Sequence, residues 1–216
     1  MRRWRRLVGM KQILVVMAVV VVVGCGTTKI DPNAPANIAD PIFEKAVRKS
    51  LKKPEGELTA GDLEKVTSLS LWATKITDEG LKEVAKLQEL RQLFLVKTQI
   101  TDAGLKEVAN LQNLKELYLN GTRITNTGLK DVAKLQNLEV LMLDETQITD
   151  AGLKEVAKLQ KLEQLLLSYT EITDAGLKDV AKLQKLESLN LWSTKITKAG
   201  VAEFKKALPN CRIYGP

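Results

Sequence analysis

Histidine is absent from the 216 residues. That excludes an imidazole general base, Ser-His-Asp and Cys-His nucleophiles, and every histidine-ligated metal. Cysteine occurs only at Cys25 and Cys211. Aromatic residues make up 4%, and leucine carries most of the apolar load. There is no glycine-rich phosphate loop, no CxxC pair and no carboxylate pair set apart from its surroundings. The reading is therefore non-catalytic, with no cofactor and no metal site. The net charge of +7 is misleading. Five of the 33 basic residues fall in the first 24 positions without an acid, which leaves 28 bases against 26 acids elsewhere. No affinity for nucleic acid follows.

The chain does hold one apolar run, Ile13 to Val23, preceded by MRRWRRLVGMKQ and followed by Gly24-Cys25. Eleven residues are too few to cross a bilayer, which takes about 20. A basic head and a short apolar stretch make a secretory signal. Val22-Val23-Gly24-Cys25 resembles a bacterial lipobox. That resemblance implies cleavage before Cys25, lipidation of its thiol, and an exported protein anchored in the cell envelope, the outer membrane rather than the inner where both exist. No disulfide is expected, because lipidation of Cys25 leaves Cys211 without a partner. An uncleaved signal anchor and an ordinary cleaved signal are the alternatives. Gly26 to Asp40 has no helical or strand period and reads as a flexible tether of about 20 Å reach.

From Val66 onward a 24-residue period repeats six times, with copies starting at Val66, Leu90, Leu114, Leu138, Leu162 and Leu186. The consensus is LxxLxLxxTxITDxGLKxVAxLxx. Alternation in Leu93-Phe94-Leu95 predicts a short strand with Phe94 on the face opposite the leucines. Thr101 is placed to cap the following helix, with Ile100 and Leu105 as a hydrophobic staple. Asp102 suits the positive end of that helix. Leu105, Val108 and Ala109 share its buried stripe. No single copy can bury both elements, so the copies must stack.

This pattern resembles the leucine-rich repeat family, with threonine where its commonest form has asparagine. The resemblance implies an α/β solenoid: a curved parallel sheet of six strands on the concave side and short helices on the convex side. The stretch IFEKAVRKSLKKPEGELTAGDLEKVTSLSL is similar to the helical cap of internalin-type repeat proteins. The domain plan is a signal peptide at 1–24, lipidated cysteine and tether at 25–40, helical cap at 41–65, six repeats at 66–209 and a closing cap at 210–216. Phe43, Ala46, Val47 and Leu51 form the stripe of the first cap helix. Thr59 starts the second, with Leu58 and Leu63 as its staple.

Structural positions scarcely change between copies, whereas the outward strand positions and the loop after them do. Ser70, Phe94, Tyr118, Met142, Leu166 and Asn190 form a central row with four apolar members. Trp72, Val96, Asn120, Asp144, Ser168 and Trp192 form the next, and Tyr169 follows in the loop. An apolar row pointing away from the core marks contact with a partner. The expected partner-binding residues are Trp72, Phe94, Val96, Tyr118, Asn120, Met142, Asp144, Leu166, Ser168, Tyr169, Asn190 and Trp192. The alternative is that these side chains only pack on one another. The expected partner is a protein, with a cell-wall glycan stacking on Trp72, Tyr118, Tyr169 and Trp192 as the rival, or a structural role with no specific partner. The protein itself is expected to be a monomer. On the convex side, lysines such as Lys106 next to Glu107 read as a self-cancelling, solvated surface.

Overall fold

The computed structural model describes residues 31–216; the signal segment and Cys25 lie outside the described residues. The 24-residue period becomes one seven-stranded parallel sheet in sequence order: β1 Ser68–Ser70, β2 Gln92–Phe94, β3 Glu116–Tyr118, β4 Val140–Met142, β5 Gln164–Leu166, β6 Ser188–Asn190 and β7 Arg212–Tyr214. Each pairing advances by one repeat, with Leu69 beside Leu93 beside Leu117 and so on to Leu189 beside Ile213. Backbone pairing continues past the strands, for example Lys97 N–H to Asn120 O at 2.8 Å. Seven strands rather than six is a correction. Ile213 and Tyr214 fall one period after Leu189 and Asn190, so the closing segment completes another rung.

Helices run outside the sheet. The cap contributes α1 (Pro41–Leu51) and α2 (Ala60–Leu63), and the repeats contribute α3 (Leu81–Val84), α4 (Asp102–Val108), α5 (Leu129–Val132), α6 (Asp150–Val156), α7 (Asp174–Val180) and α8 (Lys198–Ala207). Leucines on the inward strand positions and on the helix stripe meet in one continuous core. Helices are wider than the roughly 4.8 Å strand spacing, so the stack bends with the sheet inside.

The Thr101 cap and the Ile100/Leu105 staple form as expected, the threonine accepting from the Ala103 N–H. At α3 and α5 the regular helix begins later, after Gly80 and Gly128. There the first turn closes through tighter bonds to the residue three back, such as Lys130 N–H to Thr127 O at 3.2 Å.

The acid after each cap threonine does more than face a helix end. Asp102 accepts both the N–H and the hydroxyl of Thr125 in the next repeat, at 2.8 and 2.6 Å. Asp78 does the same to Thr101, Asp150 to Thr173 and Asp174 to Thr197. Only one rung differs. Asn126 accepts the Thr149 N–H but donates its amide to the Thr149 hydroxyl, and Thr149 then makes no cap bond to its own helix. Asn126→Asp should let that hydroxyl donate to a carboxylate and cap α6, raising stability by about 1 kcal/mol. Urea unfolding would register this as a higher midpoint at constant slope.

The ends are closed by specific contacts. Asp40 caps α1 by accepting from Ile42 and Phe43 N–H at 2.8 Å, and Phe43 and Val47 are fully buried. Thr59 and Asp62 form a reciprocal capping box on α2. Lys53 and the Thr59 N–H hold the Asp62 carboxyl down at about 2. At the far end Phe204, Leu208 and Cys211 cover the last layer. Cys211 is a free, buried thiol whose pKa burial pushes up.

The tether expectation is corrected in part. Residues 31–40 lie against the cap rather than free of it: Ala36 N–H bonds to Leu58 O, Ala60 N–H to Ala34 O and Gly61 N–H to Pro32 O, all within 2.9 Å. Ala36 and Ile38 pack on the core, giving this polar stretch an apolar reason to dock. The convex charges also pair differently from the simple adjacent-column picture. Glu83, Asp131, Glu155 and Asp179 bind the lysines three residues on, at Lys86, Lys134, Lys158 and Lys182. Spacing of three places both groups on one side of a helix.

Candidate functional site

Alternation within the strands aims the central row, Ser70, Phe94, Tyr118, Met142, Leu166 and Asn190, at the concave side. Strand register sets these residues side by side, and Tyr214 of β7 extends the row by one. The four apolar members are half-buried. Part of that burial is mutual: the Phe94 and Tyr118 rings stack with centroids 4.3 Å apart and planes 15° from parallel. The Tyr118 hydroxyl donates to Glu116 at 2.6 Å, and Gln92 donates to the other oxygen of the same carboxylate. Burial, then the Glu116 carboxylate, pushes the Tyr118 hydroxyl up to about 12. It therefore stays protonated and fixed in place through the physiological range.

The next row divides in two. Trp72 and Trp192 stand at its ends, 63% and 57% exposed, and both are free to touch another molecule. Val96 is half-buried between Trp72 and the middle, beside an open hollow of about 390 Å³ lined also by Ser70, Phe94 and Lys97. The middle is occupied from within. Asp144 takes the Asn120 amide on one oxygen and the Ser168 N–H, at 2.8 Å, on the other. Asp144 and Ser168 are buried, so neither offers the exposed contact that the sequence suggests. Asn120 is half-buried and its Oδ1 has no partner. Side chains in one row lie a strand spacing apart and satisfy one another when their chemistry matches.

The loop after each strand turns through a left-handed residue: Ala73, Lys97, Gly121, Glu145, Tyr169 and Ser193, with φ from 54° to 64°. Five of the six are not glycine, and each bears a cost of about 1–2 kcal/mol for that conformation. The turn is held by the threonine that follows, whose hydroxyl donates to the carbonyl three residues back, as Thr98 to Leu95 at 2.7 Å. Tyr169 is held outward by this turn and is 64% exposed. The same hydroxyl bond recurs down a threonine row, at Thr74, Thr98, Thr122, Thr146, Thr170 and Thr194.

The concave side thus presents an apolar centre at Phe94, Tyr118, Met142 and Leu166, with large exposed aromatics at Trp72, Tyr169, Trp192 and Tyr214 around it. Tyr214, 43% exposed, is the member the sequence reading missed. Its signal was the recurrence of Ile213-Tyr214 one period after Leu189-Asn190. Asn190 lies at the same end, its carbonyl-bearing side chain turned back on the Trp192 N–H at 3.2 Å.

Residues 59–212 match the model of a leucine-rich repeat region. Among solved structures, an internalin from Listeria monocytogenes aligns with a TM-score of 0.62 at 25% identity, over 84% of this chain and 58% of that one. A leucine-rich repeat protein from Leptospira interrogans aligns with a TM-score of 0.57 at 32% identity, over 70% of this chain and 38% of that one. The chain spans less than two thirds of the length of either. No curated protein matches. With the repeat pattern matched across more than half its length and built into one parallel sheet, the chain belongs to the leucine-rich repeat family.

Proposed function

We propose that this chain is a lipid-anchored, non-catalytic scaffold of the bacterial envelope that holds a protein partner against its concave sheet. One observation carries the reading: a continuous apolar row on the open side of the sheet, rimmed by exposed Trp72, Tyr169, Trp192 and Tyr214. Exposed aromatics around an apolar centre are the composition of interface hot spots. The sheet is held by backbone pairing and by the aspartate–threonine rungs, so little ordering is lost when a partner docks. A sugar-stacking role is supported less well, because Phe94 already covers one face of Tyr118. Anchoring rests on the lipobox-like Val22-Val23-Gly24-Cys25. Two or more acyl chains hold a protein to a bilayer stably, where one does not.

A photo-crosslinking residue at position 169 in intact cells, read by mass spectrometry, tests the concave face. The expected result is a defined crosslinked protein that is lost when Trp72 and Trp192 are both changed to alanine. Labelling that is diffuse or indifferent to those substitutions would count against the reading. In the same cells, Cys25→Ser should move the chain out of the membrane fraction and abolish labelling by a fatty-acid analogue. Unchanged labelling would remove the anchor.

A further inference from the structure

We infer that the partner on the concave face is a second copy of this chain, in place of the monomer expected from the sequence, related to the first by a two-fold axis parallel to the strands. The inference rests on the binding role proposed above and names its occupant. Such an axis keeps every row at its own height and reverses its order along the stack, so repeat one meets repeat six, two meets five, and three meets four. An interface of this kind must be complementary to its own reversal.

Most of the rows meet that requirement; the first residues of the strands do not, since reversal sets Glu116 on Val140. The residues immediately before the strands run Thr67, Arg91, Lys115, Glu139, Glu163, Glu187. Reversed against itself, this row sets Arg91 on Glu163 and Lys115 on Glu139, the latter pair of opposite charges already attracting within one chain at 2.6 Å. Within the six repeats the central row has polar Ser70 and Asn190 outermost and four apolar residues between, so apolar faces apolar, Phe94 on Leu166 and Tyr118 on Met142, while Tyr214 of β7 lies beyond this set and has no counterpart in it. In the row beyond, Trp72 meets Trp192, the two large exposed groups. In the left-handed turns Lys97 meets Tyr169, a cation over an aromatic ring. On the outer rim Lys195, which would face Lys75, is already paired with Glu171.

Charge along the face follows the same rule. The first three repeats place Lys75, Arg91, Lys97, Lys115 and Arg123 around it with one acid, Glu116. The later repeats place Glu139, Asp144, Glu145, Glu163, Glu171 and Glu187 there against Lys195 and Arg212. One half is basic and the other acidic, and a reversed copy supplies the matching distribution. Two facing hollows approach most closely at their ends, where the tryptophans stand. The deeper middle holds Asn120 and Asp144, which bond to each other, and there Tyr118 faces Met142 across a wider gap than the one between the tryptophans. A face of roughly 30 by 20 Å buries at most about 1,200 Å² over both copies, no more than the lower end for a specific interface. The pair is therefore weak and strongly salt-dependent.

The test uses full-length chains carrying two different tags, co-expressed and extracted in detergent. Wild type should co-purify with wild type at low ionic strength and release at about 0.5 M salt, where screening is short-ranged. Arg91→Glu with Lys97→Glu makes both halves acidic; Glu145→Lys with Glu163→Lys makes both basic. Each variant should lose self-pairing at least tenfold, and the two together should recover it. Recovery that is the same for every combination, or absent from all, overturns the proposal. A readout independent of these variants comes from the crosslinker at position 169 with one copy isotope-labelled. Intermolecular links should fall on the segment around Lys97, and links scattered over other repeats would contradict the two-fold arrangement. Capture of a different protein at position 169, with no self-pairing, would end this inference while leaving the concave binding role standing. Loss of both would end the two together.

Discussion

Gly176→Ala is expected to lower the unfolding free energy by about 3 kcal/mol, although the residue sits in ordinary helical backbone. A Cβ there would lie 2.4 Å from Asp150 Oδ1, 3.1 Å from Asp150 Cγ and 2.7 Å from Leu153 Cδ1. Real carbon atoms do not approach so closely, so something must move. The carboxylate cannot shift freely, because it accepts the Thr173 N–H at 2.8 Å and the Thr173 hydroxyl at 2.7 Å. Forcing it aside adds the strain of overpacking, about 1–3 kcal/mol, to weakened charge-assisted hydrogen bonds worth about 1.5–3 kcal/mol. Asp150→Ala alone removes those bonds and should cost about 2–3 kcal/mol. The double variant is the discriminating one. Without the carboxylate, a methyl at 176 meets chiefly the mobile end of Leu153, so the second change should cost at least 1 kcal/mol less than it does alone. Strict additivity in urea midpoints would mean that the repeats are not stacked through this contact.

The same contact explains what was and was not legible beforehand. The leucine spacing alone gives strand, direction and register, because a period of two inside a period of 24 admits one arrangement of the inward side chains. The aspartate–threonine rung was hidden because its partners are 23 residues apart, and because an acid in a first helical turn already has a sufficient local reason in the helix dipole. A clue was nevertheless present. The acid is kept through the repeats, is softened once to Asn126, and becomes Lys198 only in the copy that has no further threonine to hold. At the other end Asp40 lies against Gly80 as Asp78 lies against Gly104, but its carboxylate accepts from the first turn of α1. On the concave face, periodicity told which way each side chain points but not what its neighbour already occupies. Asp144 and Ser168 are turned to the open side and still buried, because Asn120, Asp144 and the Ser168 backbone take one another. The docked stretch at 31–40 was missed for a related reason: prolines and polar residues give it no period, and its bonds to the cap are made by backbone groups that any sequence carries.

Phe43→Ala and Leu141→Ala should cost similar amounts and fail differently. Both side chains are fully buried, and truncation removes about 3–5 kcal/mol for the phenylalanine and 2–5 for the leucine. Leu141 in β4 is flanked in register by Leu117 and Leu165, so a cavity there weakens two neighbouring interfaces at once. In a one-dimensional stack the array then unfolds as a unit at lower denaturant, with its slope unchanged. Phe43 anchors α1 over the first strand and has repeats on one side only. Its loss should free the cap while the later strands keep their contacts, because each repeat is supported by its neighbours rather than by the chain end. Hydrogen exchange separates the outcomes: amides of α1 and of residues 58–66 should lose protection in Phe43→Ala, while those of β4 to β6 retain it. Ser50, whose hydroxyl donates to Ser68 O at 2.7 Å, ties the end of α1 to the open edge of β1, so Ser68 to Ser70 should be the first strand to follow the cap. Equal loss of protection across all seven strands would mean that the cap and the repeats fold as one cooperative body. The concave rows would then owe their fixed order to the whole chain, and no shorter set of repeats could present them.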